Sequence, residues 1–144
     1  MQATVVERVM QDHVEMQGRL SDWEAALGLL ASPAFAESQR GLEKLWQLVP
    51  FFEKEVARHF REEENDLYPL IEAEHASSHP TLTRFAGEHA EFNRQWQAYK
   101  RELLYCDAVG ETRRVLELGR TIVQLLRQHM SREEAELLPQ VEKS

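Results

Sequence analysis

The hydrophobic residues of this chain recur every three or four positions, which is the spacing of amphipathic α-helices. Four stretches carry this pattern, at residues 6–30, 45–67, 82–103 and 115–137. The alternation of single hydrophobic and polar residues that marks a half-buried β-strand is absent from the sequence. The pattern therefore predicts four helices and an all-α fold.

Three short segments separate the predicted helices. ASPAFAES contains Ser32 and Pro33, EAEHASSHP ends at Pro80, near which the third helix is expected to begin, and CDAVGE contains Gly110. Helices joined by short connections pack most simply side by side with alternating directions. We therefore expect an up-and-down antiparallel four-helix bundle, with residues 1–144 forming a single domain.

Three further prolines lie inside the helical stretches. A proline lacks the backbone N–H and clashes with the preceding turn of an α-helix. Pro50 therefore kinks the second helix or starts it, and Pro69 and Pro139 end or bend the second and fourth helices.

The composition excludes several classes of protein. Asp and Glu total 25 against 17 Lys and Arg, and the net charge of −8 disfavours a nonspecific nucleic-acid binder. No apolar run approaches the about 20 residues of a membrane span, and charged residues interrupt the N-terminal region before a secretory signal could form. The single cysteine, Cys106, excludes an internal disulfide framework and a Cys-rich metal site, so a reducing cytoplasm is the expected compartment.

Four of the six histidines lie on the hydrophobic stripes, one in each predicted helix: His13, His59, His89 and His129. A glutamate follows two of them at the fourth position, Glu63 after His59 and Glu133 after His129. Side chains at positions i and i+4 share one helix face. A charged glutamate inside a bundle is costly unless it is paired or binds a metal ion, so these pairs indicate a shared polar site.

The positions of the turns place the four histidines at one height. In an antiparallel hairpin, residues at the same height are about equally far from the turn. The midpoints between successive stripe histidines are positions 36, 74 and 109, and all three fall in or beside a predicted turn. We therefore expect the four imidazoles at one level of the bundle.

Four imidazoles and two carboxylates suit first-row transition metal ions. Six ligands exceed what one open tetrahedral site needs, and they fit two metal ions that are bridged by both carboxylates, each ion keeping two histidines. Small molecules could then complete the coordination. Manganese and zinc fit these ligand types as well as iron does.

A weak internal repeat relates the two halves of the chain. HFREEENDLYPLIE, starting at His59, aligns with HMSREEAELLPQVE, starting at His129, 70 positions later. DHVEM around His13 and EHAEF around His89 also correspond, each with a carboxylate directly before the histidine. The repeat indicates a duplicated helical hairpin.

The pattern resembles the hemerythrin-like, or HHE cation-binding, domain over nearly the whole chain. The residues that carry the resemblance are, in chain order, His13, His59, Glu63, His89, His129 and Glu133. The resemblance implies a four-helix bundle that holds two non-haem iron ions, bridged by Glu63 and Glu133 and by an oxo or hydroxo group.

The chain departs from the oxygen-carrying hemerythrins at two points. Those proteins have a fifth histidine four residues from the third-helix histidine, where this chain has Phe85 and Asn93, and an aspartate where this chain has Glu134. The match is closer to the four-His, two-Glu subgroup. That subgroup is similar to proteins linked with iron–sulfur repair, with nitric oxide or peroxide handling, and with iron or oxygen sensing, so reversible oxygen transport is not expected.

Four glutamates near the candidate ligands are expected to face solvent: Glu62, Glu64, Glu134 and Glu136. Glu64 or Glu134 replaces its neighbour as a ligand if its helix is over- or underwound. Five other residues are expected to take no direct part in metal binding, as surface histidines, a bystander thiol and core aromatics: His75, His79, Cys106, Tyr68 and Trp96. Tyr68 and Trp96 lie where they could approach the metal site.

The leading functional hypothesis is a diiron protein whose open metal positions bind or react with O2, peroxide or nitric oxide. No general acid or base outside the ligand set is identifiable, so the reaction and the enzyme class stay open. An alternative is a sensor of iron or oxygen, or an iron donor, that acts through a protein partner. The third hypothesis is a helix bundle that binds no metal and serves only in protein interaction. A monomer or a homodimer is compatible with all three hypotheses.

Overall fold

The computed structural model describes the backbone of residues 2–142 and the side chains of residues 5–141. In chain order it contains α1 (Gln2–Leu30), α2 (Phe35–Glu62), a π turn (Glu63–Leu67), α3 (Tyr68–Glu74), a 3-10 turn (Ala76–Ser78), α4 (His79–Val109), α5 (Arg113–Glu136) and α6 (Leu138–Glu142). No β-strand occurs within residues 2–142, and the all-α prediction is confirmed.

These helices form the expected four-helix bundle. Its four arms are α1, then α2 with the π turn and α3, then α4, and finally α5 with α6. The first arm packs against α2 and α5, α4 packs against α5, and α3 contacts α4 and α6. Short connections make each arm run antiparallel to the one before it. Across the described residues, no helix combines the length and the apolar character needed to cross a membrane.

The ends of the arms agree with the predicted turns. α1 ends at Leu30, and α4 begins at His79, directly before Pro80. Gly110 ends α4 with a φ of 78°, a left-handed conformation in which a side chain would be strained. Its N–H donates a hydrogen bond to the Cys106 carbonyl, which completes the last turn of the helix.

The three prolines of the predicted helical stretches lie inside the arms. Pro50 lies within α2, which begins at Phe35, so the alternative in which Pro50 starts the helix is wrong. Pro69 and Pro139 occupy the second positions of α3 and α6. Each follows an irregular turn of its arm, which accommodates the missing N–H.

The π turn keeps one face of the second arm buried. His59, Glu63, Leu67 and Ile71 recur every four residues, and all are buried. In a regular α-helix, the last of these residues lies twelve positions after the first and would therefore point about 120° away from it around the helix axis. The wider π turn compensates for this drift. In the last arm the irregular residue Leu137 lies at the corresponding place.

Two hydrophobic clusters fill the bundle, and a polar layer separates them. The larger cluster includes Trp23, whose indole N–H donates a 3.1 Å hydrogen bond to the Tyr99 hydroxyl. Each arm passes from one cluster through the polar layer to the other; in α1, for example, Val9 and Met16 belong to different clusters on either side of His13. The members of the polar layer are His13, His59, Glu63, His89, His129 and Glu133.

Candidate metal centre

The structure brings the six predicted ligands together in the polar layer, where each is at most 3% exposed. Their elements are α1 for His13, α2 for His59, the π turn for Glu63, α4 for His89, and α5 for His129 and Glu133. Their ligand atoms form two overlapping groups, within each of which all atoms lie within 4.8 Å of one another. One group contains the His13–His59 pair and the other contains the His89–His129 pair. Both groups share the two glutamates.

The carboxylate of Glu63 lies between the two histidine pairs. Its Oε2 is 3.1 Å from His59 Nε2 and 3.6 Å from His13 Nε2. Its Oε1 is 3.0 Å from His89 Nε2 and 3.8 Å from His129 Nε2. One oxygen therefore faces each pair, and every imidazole presents its Nε2 atom.

Glu133 contacts one histidine of each pair. Its Oε1 is 3.2 Å from His13 Nε2, and its Oε2 is 3.4 Å from His129 Nε2. The Tyr68 hydroxyl donates a 2.5 Å hydrogen bond to Oε2. Both glutamates thus have the geometry that a carboxylate needs to bridge two cations.

Several polar atoms of the layer are buried without a hydrogen-bond partner. Among the described side chains these are His13 Nε2, His59 Nε2, Glu63 Oε2 and Glu133 Oε1. The Trp96 indole nitrogen, in the larger hydrophobic cluster, is a further such atom outside the layer. An unsatisfied buried polar group costs about 1–3 kcal/mol. Since all four atoms of the layer are metal-ligand types in one group, the residues present fit a bound metal ion.

The buried charges of the layer compensate one another. Burial lowers the pKa of His13, but the carboxylates of Glu133 and Glu63, 3.2 Å and 3.6 Å from its Nε2 atom, outweigh burial and raise it to about 10. Burial is likewise outweighed at His59, where Glu63 and Asp12 raise the pKa to about 9. At His129, the carboxylates of Glu133, Glu63 and Glu88 raise the pKa to about 11. Burial raises the pKa of Glu63, and the surrounding hydrogen bonds and imidazole charges bring it well below its usual range. The buried carboxylates therefore favour positive charge in the layer, and a metal ion that binds there would displace protons from the imidazoles.

Comparison with protein families agrees with this geometry. The model of the hemerythrin HHE cation-binding domain matches residues 4–141. The chain belongs to the hemerythrin HHE cation-binding family. The comparisons with curated proteins and with solved structures gave no match. Membership of the HHE family and the two His/Glu groups together support metal binding.

Two glutamates of this HHE domain depart from the expectation that they simply face solvent. Glu64, with a side chain 45% exposed, accepts a 2.7 Å hydrogen bond from His89 Nδ1. Glu134, 38% exposed, accepts a 2.9 Å hydrogen bond from His13 Nδ1. Both carboxylates lie on the outer side of the imidazoles, opposite the Nε2 atoms that face the layer.

Tyr68 also departs from its expected role, because it contacts the candidate ligands in addition to packing in the core. Besides donating to Glu133, its hydroxyl lies 3.4 Å from His89 Nε2. Burial, followed by the negative charge of the nearby glutamates, raises the pKa of this hydroxyl far above its usual value, so it remains a proton donor in hydrogen bonds. Trp96 instead packs against Trp23 in the larger hydrophobic cluster, as expected.

The remaining residues behave as surface groups. Glu62 and Glu136 form ion pairs with Arg58 and Arg84, each at 3.0 Å. The side chain of His79 is 66% exposed.

Two more residues lie apart from the polar layer. Cys106 is a buried free thiol in the larger hydrophobic cluster, and His75 is a half-buried residue at the end of α3. Neither belongs to the two His/Glu groups.

Proposed function

We propose that this HHE protein binds two iron ions in its polar layer. One ion is bound by the His13–His59 pair and the other by the His89–His129 pair, with Glu63 and Glu133 as bridges. The observation that supports this most directly is that each glutamate turns one oxygen toward each histidine pair. These ligand types also suit manganese and zinc, and membership of the HHE family favours iron.

The ligand count leaves room for a small molecule. Each ion would receive two imidazole nitrogens and two carboxylate oxygens from the protein. Iron sites with nitrogen and carboxylate ligands commonly accept further ligands at open positions. We propose O2, peroxide or nitric oxide as the small-molecule partner, since a pair of iron ions can exchange electrons with each of them.

The surrounding side chains orient the ligands and exclude water. Phe60 stacks on the imidazole of His89, with ring centroids 3.9 Å apart, and Phe85 meets the ring of His129 edge-on at 5.5 Å. Tyr68 holds its hydroxyl proton toward Glu133 Oε2. These contacts restrict the imidazoles to few orientations and keep the layer in a low-dielectric environment. We further propose that the protein works in a reducing cytoplasm, where the free thiol of Cys106 stays reduced.

Metal content tests the proposal directly. After expression with added iron, we expect about two iron ions per chain from elemental analysis, with visible charge-transfer absorption. His59→Ala should lose metal and absorption, because it removes one of the proposed ligands, a histidine that is buried in the layer at 1% exposure. The matched control, His79→Ala, removes an exposed histidine and should keep both.

Iron near zero in the wild type, or unchanged spectra in H59A, would contradict the diiron proposal. Turnover assays then separate the reaction classes. Rapid catalytic loss of peroxide or nitric oxide identifies an enzyme. A partner captured in only one metal or redox state, without turnover, identifies the alternative of a sensor or an iron donor.

A further inference from the structure

Each histidine of the polar layer donates its second ring nitrogen, Nδ1, to a carboxylate outside the layer. The four pairs, with their N–O distances, are His59 to Asp12 at 2.9 Å, His89 to Glu64 at 2.7 Å, His129 to Glu88 at 2.7 Å and His13 to Glu134 at 2.9 Å. No imidazole of the layer lacks such an outer partner. We refer to the four acceptors as the outer carboxylates.

The outer carboxylates follow a cyclic order around the bundle. Asp12 of α1 contacts the histidine of α2, Glu64 of the π turn contacts that of α4, Glu88 of α4 contacts that of α5, and Glu134 of α5 contacts that of α1. Each adjoins, in sequence, a layer residue of its own arm. One side chain of each such dipeptide therefore enters the layer while its neighbour reaches the next arm, and the ring of contacts closes.

The outer carboxylates differ in their own surroundings. Asp12 and Glu88 have side chains only 15% and 17% exposed, and they accept further hydrogen bonds from Arg58 at 3.0 Å and Arg132 at 2.9 Å. The other two are 45% and 38% exposed. Two members are thus fixed by arginines, and two can be substituted at the surface without opening a cavity.

We propose that the four outer carboxylates are positioning residues, through which each arm orients the metal-binding imidazole of the next arm. A neutral imidazole carries one proton, and an acceptor at Nδ1 selects the tautomer whose Nε2 is free to bind a metal. It also fixes the ring plane and makes Nε2 a stronger ligand. This inference rests on the diiron function proposed above.

The ring divides equally between the two metal positions. Asp12 and Glu134 hold the imidazoles of one histidine pair, and Glu64 and Glu88 hold those of the other. Loss of one outer carboxylate should therefore weaken mainly the ion on its own side.

The test compares iron retention in variants of the two exposed members. The full-length protein is loaded with Fe(II) without oxygen, and a chromophoric chelator then competes for the metal. In Glu134→Ala and in Glu64→Ala, we expect one of the two ions to bind about 10–100-fold more weakly, while the other is retained as in the wild type. In the double variant, both ions should bind more weakly than in the wild type. Glu134→Gln should recover part of the affinity, because its amide oxygen can accept the same hydrogen bond.

The matched control is Glu136→Ala, which removes an exposed glutamate from the same helix and should retain iron as the wild type does. The melting temperatures of the metal-free variants separate positioning from folding. E134A should melt somewhat below E136A, because His13 loses a hydrogen-bond acceptor, but both metal-free variants should still unfold cooperatively. If the wild type binds two ions and E134A, E64A and E136A retain them equally well, the positioning role of the outer carboxylates is refuted while the diiron function stands. Equal loss of both ions from a single variant would refute the positioning role in the same way. Fewer than two ions in the wild type would overturn the diiron function itself, together with the inference that rests on it.

Discussion

At the scale of single residues, Tyr68 connects one hydrophobic cluster of the bundle to the polar layer. Its ring packs with Leu67 and Ile71, and its hydroxyl donates to the buried carboxylate of Glu133. Hydrogen bonds to charged groups contribute about 1.5–3 kcal/mol to stability, more than bonds between neutral groups. The hydroxyl is therefore expected to contribute measurably to folding as well as to the orientation of the glutamate.

The substitution Tyr68→Phe keeps the ring and removes the donor. We expect the metal-free variant to be less stable by about 1.5–3 kcal/mol, because Glu133 Oε2 loses its hydrogen bond inside the core. Urea unfolding measures the difference. The control is Tyr105→Phe at a residue that is 54% exposed, and it should change little. Equal stability of Y68F and the wild type would contradict the contribution assigned to the hydroxyl.

The sequence predicts some of these residue roles better than others. The stripe histidines could be identified because the helical period assigns each position to a face. The hydroxyl of Tyr68 and the outer contacts of Glu64 and Glu134 could not, since they depend on how far each arm is rotated about its axis. In the second arm, the π turn sets that rotation.

At the scale of elements, the backbones of α1 and α2 lie close together at Gly41. A Cβ built on this buried glycine would lie 2.4 Å from the Leu30 backbone nitrogen and 2.7 Å from the Ala26 carbonyl oxygen. Both atoms belong to the backbone of α1, so neither can move away as a flexible side chain would. The packing of the first two arms therefore requires glycine at this position.

Two glycine substitutions should have opposite effects. Gly41→Ala should destabilise the protein by about 1–3 kcal/mol, the usual cost of overpacking, because α2 must move away from α1. Gly28→Ala lies in α1 where an added Cβ meets nothing within 4 Å, and it should stabilise the helix by about 0.5–1 kcal/mol. Urea unfolding of both variants is the measurement, and a stabilising G41A would refute the close approach.

At the scale of the whole molecule, the polar layer interrupts an otherwise continuous hydrophobic interior. Its six buried polar side chains lie between the two hydrophobic clusters. Without a cation, four of their atoms lack a hydrogen-bond partner. Metal binding should therefore stabilise all four arms at once, since every arm contributes a histidine.

Removal of the metal should lower the melting temperature. A ligand that binds only the folded state at about a thousandfold excess over its Kd adds about 4 kcal/mol of stability. For a chain of this length, that corresponds to a shift of about 10 °C. Differential scanning calorimetry of the iron-loaded and metal-free protein measures it, and His59→Ala should show a much smaller difference between the two. Identical melting temperatures would instead favour the metal-free interaction bundle.

The sequence by itself determined the helices, the turns and the common level of the four histidines, because these follow from local periodicity and from distances to the turns along the chain. Only the tertiary structure decided what depends on rotation and contact between arms. It brought Tyr68 to the buried carboxylate of Glu133 through the π turn, and it paired each imidazole with a carboxylate of the preceding arm. A hydrogen bond between two arms requires that both side chains lie at the same height and that the two helices are rotated so that these side chains face each other. The hydrophobic pattern of one segment shows which of its own residues share a face, and it does not specify how that face is rotated relative to the other arms.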